Sequence, residues 1–378
     1  MITRIYKLAF CFLFAWHSIA QNNNFPIEKQ NAVKTVFDHY TKIGIPGLAL
    51  TVYTPQTGYW SYADGYSNIE QKTPLTNNHK FYLQSVSKTY MAVIILKLYE
   101  EGKLDLDHPA NRYIKTDWFT NIEGSEKITI KMLLNHTSGL AEYTTDPLLV
   151  SRIIQEPQTV LSVTEMVAYI KNKPLEYDPG TKYAYRNTNY GLLSLIADQV
   201  SGDHVKYLNT NILAKLSLEN TTYLEKNNYT QDLNLADAYW DVLLEGIPTN
   251  ISKLQRANVA SMKGDDGLVA TTTDAVNFMK ALVEGKILKP ATLELMQNWV
   301  TNDYGEKKYG LGVTYYDLDV TYGIGHSGGG IGAGCVLIYL PELDAIVFIA
   351  TNFNTMMDSP IRQKAENLQM DILQALFM

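Results

Sequence analysis

Hydrophobic residues near both ends of the chain follow the spacings of strands and of one helix at each end. Val33, Val36, Phe37 and Tyr40 recur at the three- and four-residue intervals of a helix face. Apolar runs bounded by turn residues predict strands at residues 47–54, 58–64, 309–316, 335–340 and 345–350. Helical spacing returns in residues 361–376 and predicts a closing helix.

The middle of the chain has helical spacing instead of strand spacing. Helices are predicted at residues 90–100, 128–135, 163–171, 187–201 and 274–283. Because the strands come from both chain ends, the pattern predicts an α+β fold with an antiparallel sheet flanked by the terminal helices. The predicted parts are a sheet subdomain from residues 26–80 and 255–378, a mostly helical subdomain from residues 81–254, and one domain spanning about residues 30–370.

Residues 1–20 have the pattern of a signal peptide. A basic start is followed by an uncharged apolar run at residues 8–16 and by small residues up to Ala20. A membrane anchor fits less well, since the apolar run is far short of the ~20 residues that span a bilayer. A lipoprotein signal at Cys11 is disfavoured by the bulky Phe10 before it. We therefore expect cleavage near Ala20, a periplasmic or secreted product, and no stable membrane anchor.

The charge balance and the cysteines restrict the partners. The leader carries two positive charges and no negative ones, so its removal changes the formal net charge from −7 to −9. An acidic chain of this kind is not expected to bind nucleic acid or an anionic membrane surface. After cleavage Cys335 is the remaining cysteine, which excludes an internal disulfide and a cysteine metal site. Its apolar surroundings predict a buried, inert thiol.

The segment Ser85-Val86-Ser87-Lys88 is the first candidate for chemistry. It lies at the start of an apolar helix, and a spacing of three residues places Ser85 and Lys88 on one face within hydrogen-bond reach. A serine hydroxyl becomes a useful nucleophile when a neighbouring base takes its proton. Lysine can be that base if burial or nearby cations lower its pKa. The alternative is an ordinary surface Ser–Lys pair.

Two further polar segments lie downstream. Tyr185 and Asn187 follow a turn, where a tyrosine can shuttle protons and an asparagine amide can orient a carbonyl. The alternative is a buried tyrosine and a helix-capping asparagine. His326 and Ser327 precede the glycines at residues 328–330, which would let a ligand backbone pair with a strand edge. A flexible turn or a phosphate-binding loop is the alternative, although the latter lacks its Lys-Ser/Thr ending.

Ser-x-x-Lys, Tyr-x-Asn and His-x-Gly occur in this order, and the chain thereby resembles the serine β-lactamase and penicillin-recognising D,D-peptidase superfamily. The spacing is similar to its class C branch, which includes D,D-carboxypeptidases, esterases and D-aminopeptidases. Family-like stretches surround the motifs at residues 84–90, 101–109, 133–140, 177–193 and 267–274. The resemblance runs from about residue 45 to residue 352 and implies a β-lactamase/transpeptidase-like fold.

The resemblance also implies a role for each matching residue. Ser85 would attack a carbonyl, and Lys88 with Tyr185 would manage its proton. The backbone N–H groups of Ser85 and Gly329 would form the oxyanion hole. The expected substrate-binding residues are Asn187, His326, Ser327, Gly328 and Gly329. No metal and no organic cofactor is needed, and in this family His136 would be a packing or hydrogen-bonding residue.

Two departures from the family pattern modify these expectations. Related β-lactamases usually have lysine where His326 stands, so potent β-lactam hydrolysis is disfavoured. We expect carboxylate-bearing substrates to be turned over better below about pH 6.5, where a free histidine gains charge. Asp265 and Asp266 replace residues that are commonly small. One hypothesis is that one of them, with Asp266 the candidate, receives a substrate amine, and the alternative is that they bind turn N–H groups.

The sequence therefore predicts an exported serine hydrolase that forms an acyl-enzyme on Ser85. A D,D-carboxypeptidase-like or D-amino-acid peptidase is the leading interpretation, with a peptide or small-molecule substrate. The alternatives are a class C-type β-lactamase, a short-chain esterase, or a non-catalytic penicillin-binding sensor or scaffold. The sequence makes no prediction of the oligomeric state.

Overall fold

A nine-stranded antiparallel sheet forms the centre of the computed structural model, which describes residues 24–231, 233–318 and 321–377. The strands are β1 (Gly47–Thr54), β2 (Gly58–Asn68), β3 (Thr73–Pro74), β4 (Phe81–Tyr82), β5 (Thr222–Tyr223), β6 (Tyr239–Trp240), β7 (Thr249–Asn250), β8 (Leu268–Ala270), β9 (Val300–Thr301), β10 (Lys307–Tyr309), β11 (Thr314–Asp317), β12 (Tyr322–Gly329), β13 (Gly334–Leu340) and β14 (Ala345–Thr351). The order across the large sheet is β3-β2-β1-β14-β13-β12-β11-β10-β9, so strands from the two chain ends meet at β1 and β14.

Helices cover both faces of this sheet. They are α1 (Ile27–Lys42), α2 (Ser87–Glu100), α3 (Asp117–Thr120), α4 (Ile130–Leu134), α5 (Pro147–Gln155), α6 (Val163–Val167), α7 (Asn187–Ser201), α8 (His204–Leu208), α9 (Ser252–Ser261), α10 (Thr272–Val283), α11 (Pro290–Met296), α12 (Pro360–Lys364) and α13 (Leu368–Phe377). The terminal helices α1 and α13 pack against each other on one face, and α10 packs on β1 and β14. The predicted α+β class is therefore confirmed.

Alternation along β1 explains how one strand serves two cores. Leu48, Leu50 and Val52 belong to the core under the terminal helices. Ala49 points the other way and belongs to the larger core, which contains α2 and α7. Successive side chains of a strand lie on opposite faces, so a nearly continuous apolar run fits a sheet that is buried on both sides.

Two predicted elements are interrupted in the structure. The predicted strand at residues 309–316 is broken between β10 and β11, where Gly312 has a φ of +84°. A Cβ on Gly310 would lie 2.2 Å from the carbonyl oxygen of Met296. Both glycines thus support a close turn that a continuous strand could not make. The predicted closing helix is likewise two helices, α12 and α13.

The central helix α2 carries the first motif into the interior. Most of its residues are buried, because it lies between the sheet and the helical region and packs against α7. A 3₁₀ turn, Gln84–Val86, directly precedes it. The helices within the described ranges are all too short or too polar to cross a membrane. The predicted signal peptide lies outside the described residues.

Candidate active site

Ser85 lies in the 3₁₀ turn between β4 and α2 and is half-buried. The residue before it, Gln84, has a φ of +48°, an unusual backbone conformation for a side chain of this size. Glycines of β12 and its turn permit this conformation. A Cβ on Gly328 would lie 2.5 Å from the Leu83 carbonyl oxygen, and one on Gly330 would lie 2.5 Å from Gln84 Nε2. The glycine-rich segment therefore holds the turn that presents Ser85.

Lys88 is fully buried one helical turn after Ser85. Its Nζ donates to Ser85 Oγ at 2.9 Å, to Asn187 Oδ1 at 2.8 Å and to the backbone carbonyl of Asp265 at 2.7 Å. These three acceptors match the three N–H bonds of an ammonium group. Burial lowers the pKa of Lys88, and the nearby acidic residues partly oppose this shift. A lysine of this kind can give up its proton more readily than one in water.

Tyr185 lies beside this pair. Lys88 Nζ is 5.1 Å from the centre of its ring. Burial raises the pKa of the Tyr185 phenol, and its interaction with Ser85 lowers that pKa only in part. The resting site thus combines a protonated phenol with a lysine whose pKa is lowered. Lys88 is the better base for the Ser85 hydroxyl, while Tyr185 can donate or relay a proton.

Asn187 is the first residue of α7, and Glu142 holds it there. Glu142 Oε2 accepts from the Asn187 backbone N–H at 2.6 Å, and Oε1 accepts from the N–H of Thr144 at 2.9 Å. An acidic group is favourable at a helix N-terminus. The Asn187 amide oxygen accepts from Lys88, and its NH₂ group donates to Thr144 Oγ1 at 3.4 Å, which leaves the second N–H of that group for a substrate carbonyl. Sequence reasoning missed Glu142, which follows the family-like stretch at residues 133–140 by two positions.

The outer edge of β12 is open beside the site. β11 pairs with β12 only as far as Gly325, opposite Thr314, whereas β13 pairs with it up to Gly329. The Gly330 N–H donates to the Ala333 carbonyl oxygen at 3.0 Å, so these two residues form a hydrogen-bonded pair. Hydrogen-bonded and non-hydrogen-bonded pairs alternate along an antiparallel ladder. Ser327 and Gly329 therefore direct their backbone N–H groups away from β13, toward the open edge. The Ser327 side chain is exposed there.

His326 points from β12 into the interior, where its ring centre lies 6.0 Å from that of Tyr185, and its place in the substrate wall stays a prediction. It is 3% exposed, and its Nε2 lies 2.8 Å from the buried Tyr309 hydroxyl. Its Nδ1 lies 2.6 Å from the Ser327 carbonyl oxygen and must donate to it, so Nε2 of the neutral ring accepts from Tyr309. Burial and the Lys88 cation lower the pKa of His326 to about 3. This lowered pKa disfavours the expected gain of charge near pH 6.5.

The burial of Asp265 and Asp266 disfavours a direct contact of either carboxylate with a substrate amine. Asp265 is 1% and Asp266 5% exposed. Asp265 Oδ2 accepts from the Tyr143 hydroxyl at 2.7 Å, and Asp266 Oδ1 accepts from the Gly267 N–H at 2.7 Å. For Asp266 this bond agrees with the alternative interpretation, in which the aspartate binds a turn N–H group. Burial raises the pKa of Asp265 to about 7 and that of Asp266 to about 8.

His136 and Cys335 are both buried near the site. His136 Nδ1 accepts from the Arg186 backbone N–H at 3.2 Å, and its ring lies 4.3 Å from that of Tyr185. It packs behind the tyrosine and has no contact with Ser85 among its hydrogen bonds. Burial raises the pKa of the Cys335 thiol, which lies 3.2 Å from the Leu83 carbonyl oxygen. In the described part of the chain, no three metal-ligating side chains come together.

The sequence matches the family described as Beta-lactamase over residues 33–369, so the chain belongs to this family. The human mitochondrial serine beta-lactamase-like protein LACTB is 23% identical, over 80% of this chain and 70% of the relative. Protein flp of Staphylococcus aureus is 28% identical over 53% of this chain. The matched part of this chain spans about 40% of the length of that staphylococcal relative.

Solved structures have the same fold. D-amino acid amidase from Ochrobactrum anthropi superposes with a TM-score of 0.78 at 22% identity, covering 92% of this chain and 98% of the amidase. A penicillin-binding protein from Bacillus halodurans gives a TM-score of 0.73 at 21% identity, with 91% and 98% covered. The β-lactamase/transpeptidase-like fold is thereby confirmed.

Proposed function

We propose that Ser85 is the nucleophile of an acyl-enzyme mechanism and that Lys88 is its base. The observation that carries this proposal is the 2.9 Å contact between Lys88 Nζ and Ser85 Oγ, made by a lysine that is fully buried. A buried amine with a lowered pKa is the kind of group that can take a serine proton near neutral pH.

In the proposed reaction Ser85 Oγ bonds to the substrate carbonyl carbon while its proton passes to Lys88. The negative oxygen of the tetrahedral intermediate accepts from the backbone N–H groups of Ser85 and Gly329. The C–N bond then breaks, and Tyr185 or Lys88 gives a proton to the leaving amine. Water then attacks the ester carbon and gives a proton to Lys88, the bond to Ser85 Oγ breaks, and Oγ takes that proton back as the acid is released. One oxyanion donor is worth roughly 10²–10³ in rate.

The proposed substrates are peptides or amides of D-amino acids, in a D,D-carboxypeptidase-like or D-amino-acid peptidase reaction. The fold of D-amino acid amidase is one support, since that neighbour has nearly all of its length matched. The open edge of β12 is a second, because an extended peptide can pair with it. Neutral His326 offers no cation to a β-lactam carboxylate, which disfavours a β-lactamase. The intact Ser85–Lys88–Asn187 contacts disfavour a scaffold.

Intact mass spectrometry with a penicillin and turnover of four substrate types test the proposal. The substrates are a D-Ala-D-Ala peptide, a D-amino-acid amide, a nitrophenyl ester and a chromogenic cephalosporin, with L-amino-acid versions of the first two. We expect turnover of the D-amides or D-peptides over their L counterparts. Preferred hydrolysis of the ester or of the cephalosporin would instead identify an esterase or a β-lactamase.

Two serines of one motif provide a matched pair of variants. Ser85→Ala is expected to abolish both turnover and any covalent adduct. Ser87→Ala is the control, because Ser87 is fully buried and its hydroxyl accepts from the Leu268 N–H at 3.3 Å, not from Lys88. It should retain turnover. An adduct that persists in Ser85→Ala would show that another residue is the nucleophile.

We also propose that the chain is exported after cleavage near Ala20, giving a periplasmic or secreted enzyme. The support is the basic and apolar pattern of residues 1–20. Fractionation of expressing bacteria and the N-terminal mass of the product test it. A product that keeps Met1 and stays in the cytoplasm would refute export without affecting the proposed chemistry.

A further inference from the structure

We propose that Asp265, held by Tyr143, is a positioning residue that supplies the counter-charge of Lys88 and so sets the pH at which Lys88 can accept the Ser85 proton. The inference rests on the proposed function of Ser85 and Lys88. It concerns two residues for which that mechanism has no role.

Lys88 needs a counter-charge because its three hydrogen-bond acceptors are all neutral. They are the Ser85 hydroxyl, the Asn187 amide oxygen and the Asp265 backbone carbonyl. Neutral acceptors satisfy the N–H bonds of a buried ammonium group but do not balance its charge. A buried cation without a compensating anion loses its proton or destabilises the fold. The protonation state of Lys88 therefore depends on the acids around it.

The groups around Lys88 leave few sources of negative charge. The polar or titratable groups that face Lys88 come from four parts of the fold. They are Asp265 and Asp266 after α9, His136 and Glu142 after α4, Tyr185, Asn187 and Tyr190 at α7, and His326 on β12. Burial holds both histidines neutral, since it lowers the pKa of each. It also raises the pKa of both tyrosines, which keeps them protonated. Among the described groups around Lys88, only the three acids can supply a negative charge.

Among these acids Asp265 is tied most directly to Lys88. The Glu142 carboxylate accepts from the backbone N–H of Asn187 with one oxygen and from the backbone N–H of Thr144 with the other. The Asp266 carboxylate binds the N–H of the following residue. Asp265 instead joins two partners, with its carbonyl on Lys88 at 2.7 Å and its carboxylate on the Tyr143 hydroxyl at 2.7 Å. Tyr143 is 1% exposed, so this bond fixes the carboxylate in a site closed to solvent.

The Tyr143 hydroxyl favours the ionised form of Asp265, because a donated hydrogen bond stabilises the carboxylate. The carboxylate in turn raises the pKa of Lys88. Replacing Asp265 with neutral asparagine therefore lowers the pKa of Lys88. Two unit charges several ångströms apart in a partly buried site interact strongly enough to move a pKa by about one to two units. The acid limb of kcat/KM should move to lower pH by the same amount.

The titration of Lys88 itself is the primary test, because it does not require a known substrate. The full chain labelled with ε-¹³C lysine is titrated by NMR, and Lys88→Met assigns the signal. We expect the midpoint of Lys88 to fall by about one to two units in Asp265→Asn. Tyr143→Phe should move it in the same direction by a smaller amount, because fewer Asp265 carboxylates are then ionised.

Asp274→Asn is the matched control. Asp274 is also a buried acid with a raised pKa, but its carboxylate binds Asn220 and Thr221 and does not act on Lys88. Its replacement should leave the Lys88 midpoint unchanged. An unchanged midpoint in Asp265→Asn, or an equal shift in Asp274→Asn, overturns the inference. If Asp265→Asn does not fold, Tyr143→Phe decides by the same criterion. Loss of the proposed function is seen separately, as a wild-type chain with neither adduct nor turnover.

Discussion

Tyr309→Phe tests how the site holds His326 neutral. The Tyr309 hydroxyl is buried and donates to His326 Nε2 at 2.8 Å, while Nδ1 donates to the Ser327 carbonyl. Phenylalanine keeps the ring and its packing but removes the O–H. The buried Nε2 of the neutral histidine then has an unpaired acceptor. Protonating Nε2 would not repair this, because burial opposes a charge on the ring.

An unsatisfied buried acceptor costs about 1–3 kcal/mol. The unfolding entropy is about 2.1 cal/mol/K per residue, or about 0.7 kcal/mol/K for the roughly 350 described residues. The expected loss therefore lowers Tm by about 1.5–4 °C, which differential scanning calorimetry measures. Ser327 lies next to His326 at the open edge of β12, so a lower kcat should accompany the lower Tm.

Tyr90→Phe is the control for this measurement. Tyr90 is as buried as Tyr309, but its hydroxyl has no hydrogen-bond partner among the described residues, and its ring stacks on Phe278 at 3.5 Å. Removing an unpaired buried hydroxyl should leave Tm unchanged or raise it slightly. Equal Tm changes in the two variants would refute the assignment, since the bond between Tyr309 and His326 would then contribute nothing.

Three further predictions concern the surroundings of the site. Glu142→Gln should lower kcat by about five- to tenfold, because a neutral group holds the Asn187 N–H less strongly than a carboxylate does; an unchanged kcat in steady-state assays would contradict this. His326→Asn should flatten the loss of stability between pH 6.5 and about 3 by up to about 1.4 kcal/mol per pH unit, since the unfolded histidine binds a proton there and the folded one does not. An equal pH dependence of the free energy of unfolding in the variant and the wild type, measured by urea unfolding, would refute this. Gly328→Ala should cost about 1–3 kcal/mol, because its Cβ would meet the Leu83 carbonyl at 2.5 Å; an unchanged urea midpoint would show that the turn relaxes freely.

The local pattern of hydrophobic residues predicted well those helices and strands whose bounds depend on a single segment of the chain. The predicted bounds of β1 and of the helix at residues 187–201 agree with the structure. The break at Gly310 and Gly312 was missed, because the close approach of Met296 is a tertiary contact that no local pattern records. Similarly, the family motifs pointed to Ser85 and Lys88, but the acceptors around Lys88 come from distant segments.

The inward orientation of His326 had a signal in the sequence. His326 and Ser327 are adjacent on β12, and adjacent side chains of a strand point to opposite faces. Both side chains were predicted to face the ligand, whereas alternation along a strand places them on opposite faces of the sheet. Ser327 is the exposed residue, and His326 points into the interior toward Tyr309. The role of Asp265 had no such signal, since its contact with Tyr143 joins residues that are 122 positions apart.

Buried His326 and the buried acids Asp265 and Asp266 together determine which groups of this site carry charge. The wall at β12 offers backbone N–H groups and a serine hydroxyl, with His326 held neutral behind them. Lys88 is positive when protonated, but its N–H bonds point to Ser85, Asn187 and Asp265, so its charge serves proton transfer and not substrate binding. The proposed function accordingly has the substrate pair with a strand edge, which suits a peptide or amide better than a compact carboxylate. Acidic residues beside Lys88 then set the pH range in which it can accept a proton, and they do not compete for the substrate.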